Sequence, residues 1–224
     1  MRVMARKVKP SSRPRLYDTS RRRQAAAETK ATIVMAAKQL FADRGYVATT
    51  MAEIASAAGV ALDTVYATVG PKPVLFRHLI ETAVSGEAEP IPAEERGFIR
   101  QLLAERDPAR KLDIYAHGVR GVQERLAPLF QVLQHAAPAD PQLDALWREI
   151  GARRAANMRL LAAELESTGG LRNDLSLDDA ADIIWATNSS EFFLLLVHDR
   201  GWDADHFEHW LARTWKELLL KPER

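Results

Sequence analysis

The chain has 224 residues, 47% hydrophobic and 27% charged, which is enough for one large or two small domains with a sizeable core. It contains no cysteine, which excludes disulfides and thiolate metal sites and fits a reducing, cytoplasmic setting. The net charge of +1 hides an asymmetry: residues 1–30 hold ten Lys/Arg against Asp18 and Glu28, a surplus of +8, so the other 194 residues carry −7 and a polyanion partner is expected at one end only.

Residues 1–19, with Pro10, Pro14 and a dense run of basic residues that includes Arg13 and Arg15, read as a flexible basic arm. From Ser20 the pattern turns helical, with Ile33, Ala37, Leu40 and Phe41 at three- and four-residue steps and Gly45 as a stop. Thr50-Met51-Ala52-Glu53 is a capping box, so a short helix starts at Met51 and ends near Gly59. A second short helix at 62–69 is closed by Gly70-Pro71, and Pro73 suits the first turn of a third that runs to about Ser85. The polar, proline-broken stretch 86–97 marks a boundary between a domain over 20–85 and a larger one over 86–224. Beyond it the periodicity predicts helices at about 97–105, 109–125, 127–136 and 141–167, another from the Ser176 cap to about His198, and a last one from Asp203 to Leu220. No stretch alternates as a strand would, so the expected class is all-α. The longest apolar run, Phe192 to Val197, is too short to span a bilayer, and no apolar segment follows the basic start; neither membrane insertion nor a secretory signal is expected.

Two short helices meeting at Gly59 have the makings of a helix-turn-helix. Ala55 and Ala58 are small enough for close approach, and Gly59 can take the left-handed backbone angle that the turn requires. Ile54, Val60 and Val65 then face inward against Leu40 and Phe41. Leu62, Asp63, Thr64, Tyr66, Ala67 and Thr68 are left for a major groove. This second helix carries no Arg or Lys. Apolar groups such as Leu62, Ala61 and Ala67 can meet thymine methyls, and the hydroxyls can donate or accept, but none offers the bidentate guanine contact of Arg. The charge must come from elsewhere: the arm is expected to supply it, with Arg13, Arg15 and Arg21, Arg22 and Arg23 along phosphates or in the adjacent minor groove.

The stretch LFADRGYVATTMAEIASAAGVALDTVYATVGPKPVLF resembles the amino-terminal domain of the tetracycline-repressor family of bacterial transcription regulators. The likeness spans residues 20–80 and rests on F-x-x-x-G-Y, T-T-x-x-x-I-A-x-x-A-G-V, T-x-Y and a Lys two residues after the glycine. The end of the chain, from Trp185 to Leu219, is also similar to carboxy-terminal domains of that family. The resemblance implies a homodimer that binds a double-stranded DNA operator through the second helix of the motif and lets go when a small molecule enters the larger domain. It places phosphate contacts at Thr50, Thr64, Tyr66 and Lys72, with Thr49, Leu62 and Thr68 beside them as further candidates. The chain departs from the family pattern at Ala61, where a serine is usual, at Val69, where an aromatic is usual, and at Pro73, where Glu or Asp is usual.

For the larger domain, polar groups set among apolar ones on inward helix faces suggest an effector pocket: Tyr115, Trp147, Asn157, Trp185, Asn188 and Glu191. The same residues fit a satisfied polar core contact or a dimer interface equally well. His206 and His209, three apart near Asp203 and Asp205, make a weak metal pattern, and no metal or cofactor is expected. No nucleophile–base motif and no phosphate loop is present, so an enzyme is not expected. The stronger rival to a regulator is a ligand-independent DNA-coating protein, since a basic arm binds any duplex.

Overall fold

The computed structural model describes residues 16–222; the arm residues Arg13 and Arg15 lie outside that range. Helix α1 runs from Leu16 to Ala48, starting four residues earlier than the periodicity predicts. At Gly45 (φ 78, ψ 172) it breaks into a short final piece, a conformation that glycine adopts without strain. The stripe Ile33, Ala37, Phe41 is fully buried. Helices α2 (Met51–Ala58) and α3 (Leu62–Val69) pack on it through Ile54 and Val65, both fully buried, as the pattern requires. Gly59 between them has φ 67, the left-handed angle of the turn.

The cap of α2 is reciprocal: the Glu53 amide donates to Thr50 Oγ1 at 3.2 Å and the Thr50 amide donates to Glu53 Oε2 at 2.8 Å. The Thr50 backbone and hydroxyl donors hold the Glu53 carboxyl below the usual carboxylate range. Helix α3 has no counterpart. Its N-cap residue Ala61 already has extended backbone angles (φ −68, ψ 148) but no side-chain acceptor. Ala61→Ser is therefore expected to stabilise the protein by about 1 kcal/mol, raising the thermal midpoint by roughly 2–4 °C. An unchanged midpoint would show that the new hydroxyl does not cap.

Helix α4 (Lys72–Ser85) leads out of the motif and ends at Gly86, followed by α5 (Gly97–Ala104). Helix α6 (Pro108–Ala136) is continuous over 29 residues, where the pattern predicts two pieces meeting near residue 126. Pro128 lies inside it without ending it. The ring is on the exposed side, where water can meet the carbonyl that lacks a partner. Helix α7 (Pro141–Ser167) starts at an Asp140 cap.

The helix expected from the Ser176 cap to His198 is broken instead. Helix α8 (Leu177–Thr187) stops at Asn188, a short helix α9 (Ser190–Phe193) follows, and a π-turn carries Leu194–Asp199; the two halves bend by 47°. The cause lies on another helix. Gln123 of α6 donates to the Asn188 carbonyl at 2.6 Å and accepts from the Ser190 hydroxyl at 2.7 Å, while Ser189 accepts the Phe192 amide at 3.0 Å and starts the new helix. Helix α10 (Ala204–Leu219) closes the fold. Apart from an isolated bridge between Leu171 and Leu220, the described residues form no strand, so the class is all-α. No single helix among them is long and apolar enough to cross a membrane.

The buried residues form two cores. One joins α1–α4 to the second half of α6 and the start of α7, through Leu126, Phe130, Leu133, Leu146 and Ile150. The other surrounds Trp215 and gathers α5, the first half of α6, the end of α7 and α8–α10. Helices α6 and α7 thus run through both.

Candidate nucleic-acid interface and effector cavity

On α3 the inward side is Val65 and Val69; Leu62 and Tyr66 are 40% and 47% exposed, and Asp63, Thr64 and Ala67 are exposed with them. Thr68 is half-buried at the edge of this face. Thr50 is exposed at the start of α2, with its hydroxyl donating to Glu53 Oε2 at 2.9 Å. Thr49, its neighbour, is fully buried, and its hydroxyl donates to the Leu40 and Gly45 carbonyls at 3.1 and 2.8 Å. Those bonds take up acceptors at the broken end of α1, so Thr49 shapes the motif from inside and offers nothing to a groove. Two successive threonines look alike in sequence; only the kink at Gly45 separates their roles.

Lys72, at the start of α4, holds its ammonium 4.1 Å from the centre of the Tyr46 ring. Partial burial lowers its pKa, opposed by Asp140 and Glu53. Arg44 is committed to Glu53 at 3.0 Å. Little positive charge therefore surrounds α3 itself. Arg21, Arg22 and Arg23 stand exposed on the early turns of α1, well before the first core residue Ile33.

In the larger part of the chain a cavity of about 400 Å³ lies between α5, α6 and α7. Tyr115, Asn157 and Asn188 are on its wall. The Tyr115 hydroxyl accepts from Asn188 Nδ2 at 3.2 Å and contacts Met158 Sδ at 3.3 Å; burial pushes its pKa up to about 12. Asn188 Oδ1 is buried without a partner. The other three candidates lie elsewhere. Trp147 stacks on Phe130 at 4.6 Å within the core shared with α1–α4. Trp185 is 40% exposed with the Arg154 guanidinium over its ring at 4.5 Å, and Glu191 is exposed. Glu191 is not on the wall, though its charge acts on Arg154, which is.

Residues that the pattern did not single out complete the wall. Arg154 falls on the same four-residue stripe as Ile150 and Met158, a signal the spacing does carry. Arg96 comes from the polar linker before α5 and joins the wall, which no periodicity announces. His206 stacks on Trp202 at 4.0 Å, and His209 Nδ1 lies 2.6 Å from the Asp205 carbonyl. Among the described residues no three metal-binding side chains converge.

Comparison with known proteins agrees with this layout. Residues 33–78 match the family model described as bacterial regulatory proteins, tetR family. No curated protein matches the chain. Among solved structures, NalD of Pseudomonas aeruginosa, the secondary repressor of the MexAB-OprM multidrug efflux pump, is 22% identical at a TM-score of 0.68, covering 89% of this chain and all of that one (100%). The fatty acid degradation regulator FadR from Bacillus halodurans is 20% identical at 0.65, covering 84% and 94%. The SmeT–triclosan complex is 17% identical at 0.68, covering 87% and 92%. At these identities the likeness concerns the fold, while the family match concerns the helix-turn-helix and the start of α4.

Proposed function

We propose that this chain, whose amino-terminal domain is of the tetR type, is a ligand-responsive transcriptional repressor working in the cytoplasm. It binds a near-palindromic DNA operator as a homodimer and is released by a small molecule. One observation carries the reading: α4 begins with Lys72 beside the motif and gives Val84, its last residue but one, to the cavity wall. The two ends are about 18 Å apart on one helix. Arg125 of α6 ties down the last turn of α4 by donating to the Ala83 carbonyl at 3.0 Å, and the next residue, Leu126, lines the cavity. A molecule that displaces Leu126 or Val84 would swing α4 and move α3 with it. That SmeT is captured with triclosan supports a cavity of this fold as an effector site.

In the bound state two α3 helices would enter successive major grooves about 34 Å apart. Leu62, Thr64, Tyr66 and Thr68 would face base edges, Thr50 and Lys72 the phosphates, and Arg21–Arg23 the flanking backbone or minor groove. Modest base discrimination is expected from a face without Arg. The dimer would form through α8–α10, where Trp185, Leu195 and Leu218 remain 40%, 51% and 42% exposed. It would bury more than about 2,000 Å² in total. Sedimentation at micromolar concentration is expected to give twice the chain mass, and a monomer would refute the dimer. A footprint upstream of the genes it controls that fades when a small molecule is added would establish the regulator; uniform protection of any duplex would identify a DNA-coating protein instead.

A further inference from the structure

The charge on the cavity wall is lopsided. Arg96, Arg153 and Arg154 line it, against Glu94 and Glu164. Glu164 is taken: it accepts from the buried Lys111 ammonium at 2.7 Å. Arg153 is also taken, donating to both oxygens of Glu81 at 2.9 and 3.0 Å. Glu94 is exposed at the rim. That leaves Arg96 and Arg154.

Among the described residues neither forms an ion pair with a carboxylate, although Glu81 and Glu94 act on Arg96 and Glu191 on Arg154 from farther off, and the Nε of each is buried with nothing to bond. Arg96 makes no side-chain hydrogen bond with the described residues; Arg154 donates only to the Trp185 carbonyl while stacking on its ring. Burial lowers the pKa of both guanidiniums; for Arg96 the neighbouring Arg153 adds to the effect, and Glu81 and Glu94 at Arg96 and Glu191 at Arg154 offset it only in part. A guanidinium does not shed its proton at neutral pH, so the cost of burial stands until an anion arrives. Tyr115, between these two charges, feels both. The rest of the wall is apolar, with Phe98, Leu102, Val119 and Leu161 prominent.

We infer that the cavity takes an amphipathic carboxylate: an apolar body of about a dozen non-hydrogen atoms, with its single negative charge set against Arg96 and Arg154. The size follows from about 400 Å³ at roughly 30 Å³ per water-sized group. A planar guanidinium with open N–H donors matches a carboxylate in a two-pronged contact, and the low-dielectric surroundings strengthen it. A cation of the same shape would meet two like charges. A neutral analogue would fill the apolar part but leave both arginines as they are. This rests on the cavity being the effector site.

The test uses the full chain and three probes below their micelle concentrations: decanoate, 1-decanol and decyltrimethylammonium. Titration calorimetry is expected to give decanoate at least about tenfold tighter binding than either of the others, the scale of one charge-assisted hydrogen bond. Arg96→Gln, which removes no side-chain hydrogen bond or ion pair with the described residues, is expected to weaken decanoate about tenfold and leave 1-decanol unchanged. Arg153→Gln, whose guanidinium belongs to Glu81, is expected to change decanoate less than threefold. Equal binding of the three probes, tighter binding of the cation, no decanoate binding at millimolar concentration, or an unaffected Arg96→Gln variant would each overturn the inference. If decanoate binds as expected but leaves DNA binding untouched, the ligand class stands and the repressor reading falls.

Discussion

Replacing Arg21, Arg22 and Arg23 together by alanine is expected to weaken binding to any duplex by roughly fiftyfold at about 0.1 M salt. The effect is electrostatic: each phosphate neutralised by Lys or Arg adds about 0.9 to the slope of log affinity against log salt. Three consecutive helical residues fan through about 200°, so no more than two of them face one duplex. Arg22 lies eleven residues before Ile33, three full turns, and so extends the stripe by which α1 holds α2 and α3. The expected loss of slope is therefore about 1.8. Around α3 itself Lys72 supplies one positive charge, but Arg44 is paired with Glu53 and α3 carries only Asp63, so the described charges there do not replace the lost pair. Binding measured on one duplex at four salt concentrations checks both numbers. If affinity and slope both survive the triple substitution, α1 does not touch the backbone and the charge comes from elsewhere.

The second large effect is on stability. Lys111 is 1% exposed, and its ammonium donates to the Leu102 carbonyl and to Glu164, each at 2.7 Å. The Glu164 side chain is 31% exposed, so water reaches one partner of the pair and not the other. Glu164→Leu strands a buried positive charge with a single backbone acceptor and is expected to cost about 3 kcal/mol, the lower end for a broken buried pair. That corresponds to roughly 6–12 °C in the thermal midpoint. Lys111→Met removes the buried charge itself and lets Glu164 turn to water, leaving the Leu102 carbonyl with only the longer bond from the Glu105 amide at 3.3 Å, at about 1 kcal/mol. Urea unfolding of both variants measures the asymmetry; equal losses would mean that the burial of Lys111 is not what sets them.

Much of the motif was legible because its determinants are local. The Thr50–Glu53 box, the turn at Gly59 and the stop at Gly45 each depend on residues within a few positions, and all three are present. What escaped was set from a distance. The break at Asn188 is only partly local: Ser189 caps the next helix, but Gln123, sixty-five positions earlier, holds the break by bonding to Asn188 and Ser190. Pro128 reads as a breaker until its solvent-facing side is known. Thr49 and Thr50 differ only in which side of a kink they fall. Of the six pocket candidates, periodicity placed Tyr115, Asn157 and Asn188 on the cavity wall but could not see that Trp147 belongs to a different core. Arg96 was invisible because a linker has no period to extrapolate.

The path of α6 and α7 through both cores bears on how such proteins could be recombined. Exchanging reading heads between relatives invites a cut in the linker after Gly86, where the chain is polar and broken by proline. A graft made there would carry over Phe76, Leu79 and Ile80 but leave behind Phe130, Leu133 and Leu146, the residues they share a core with. The donor's apolar surface would then meet a foreign ridge shaped for other side chains, and packing losses at several positions would add up. A transplant that respects this molecule would take the facing residues of α6 and α7 along with the head. The unit of exchange is a set of contacts, with no single joint in the chain.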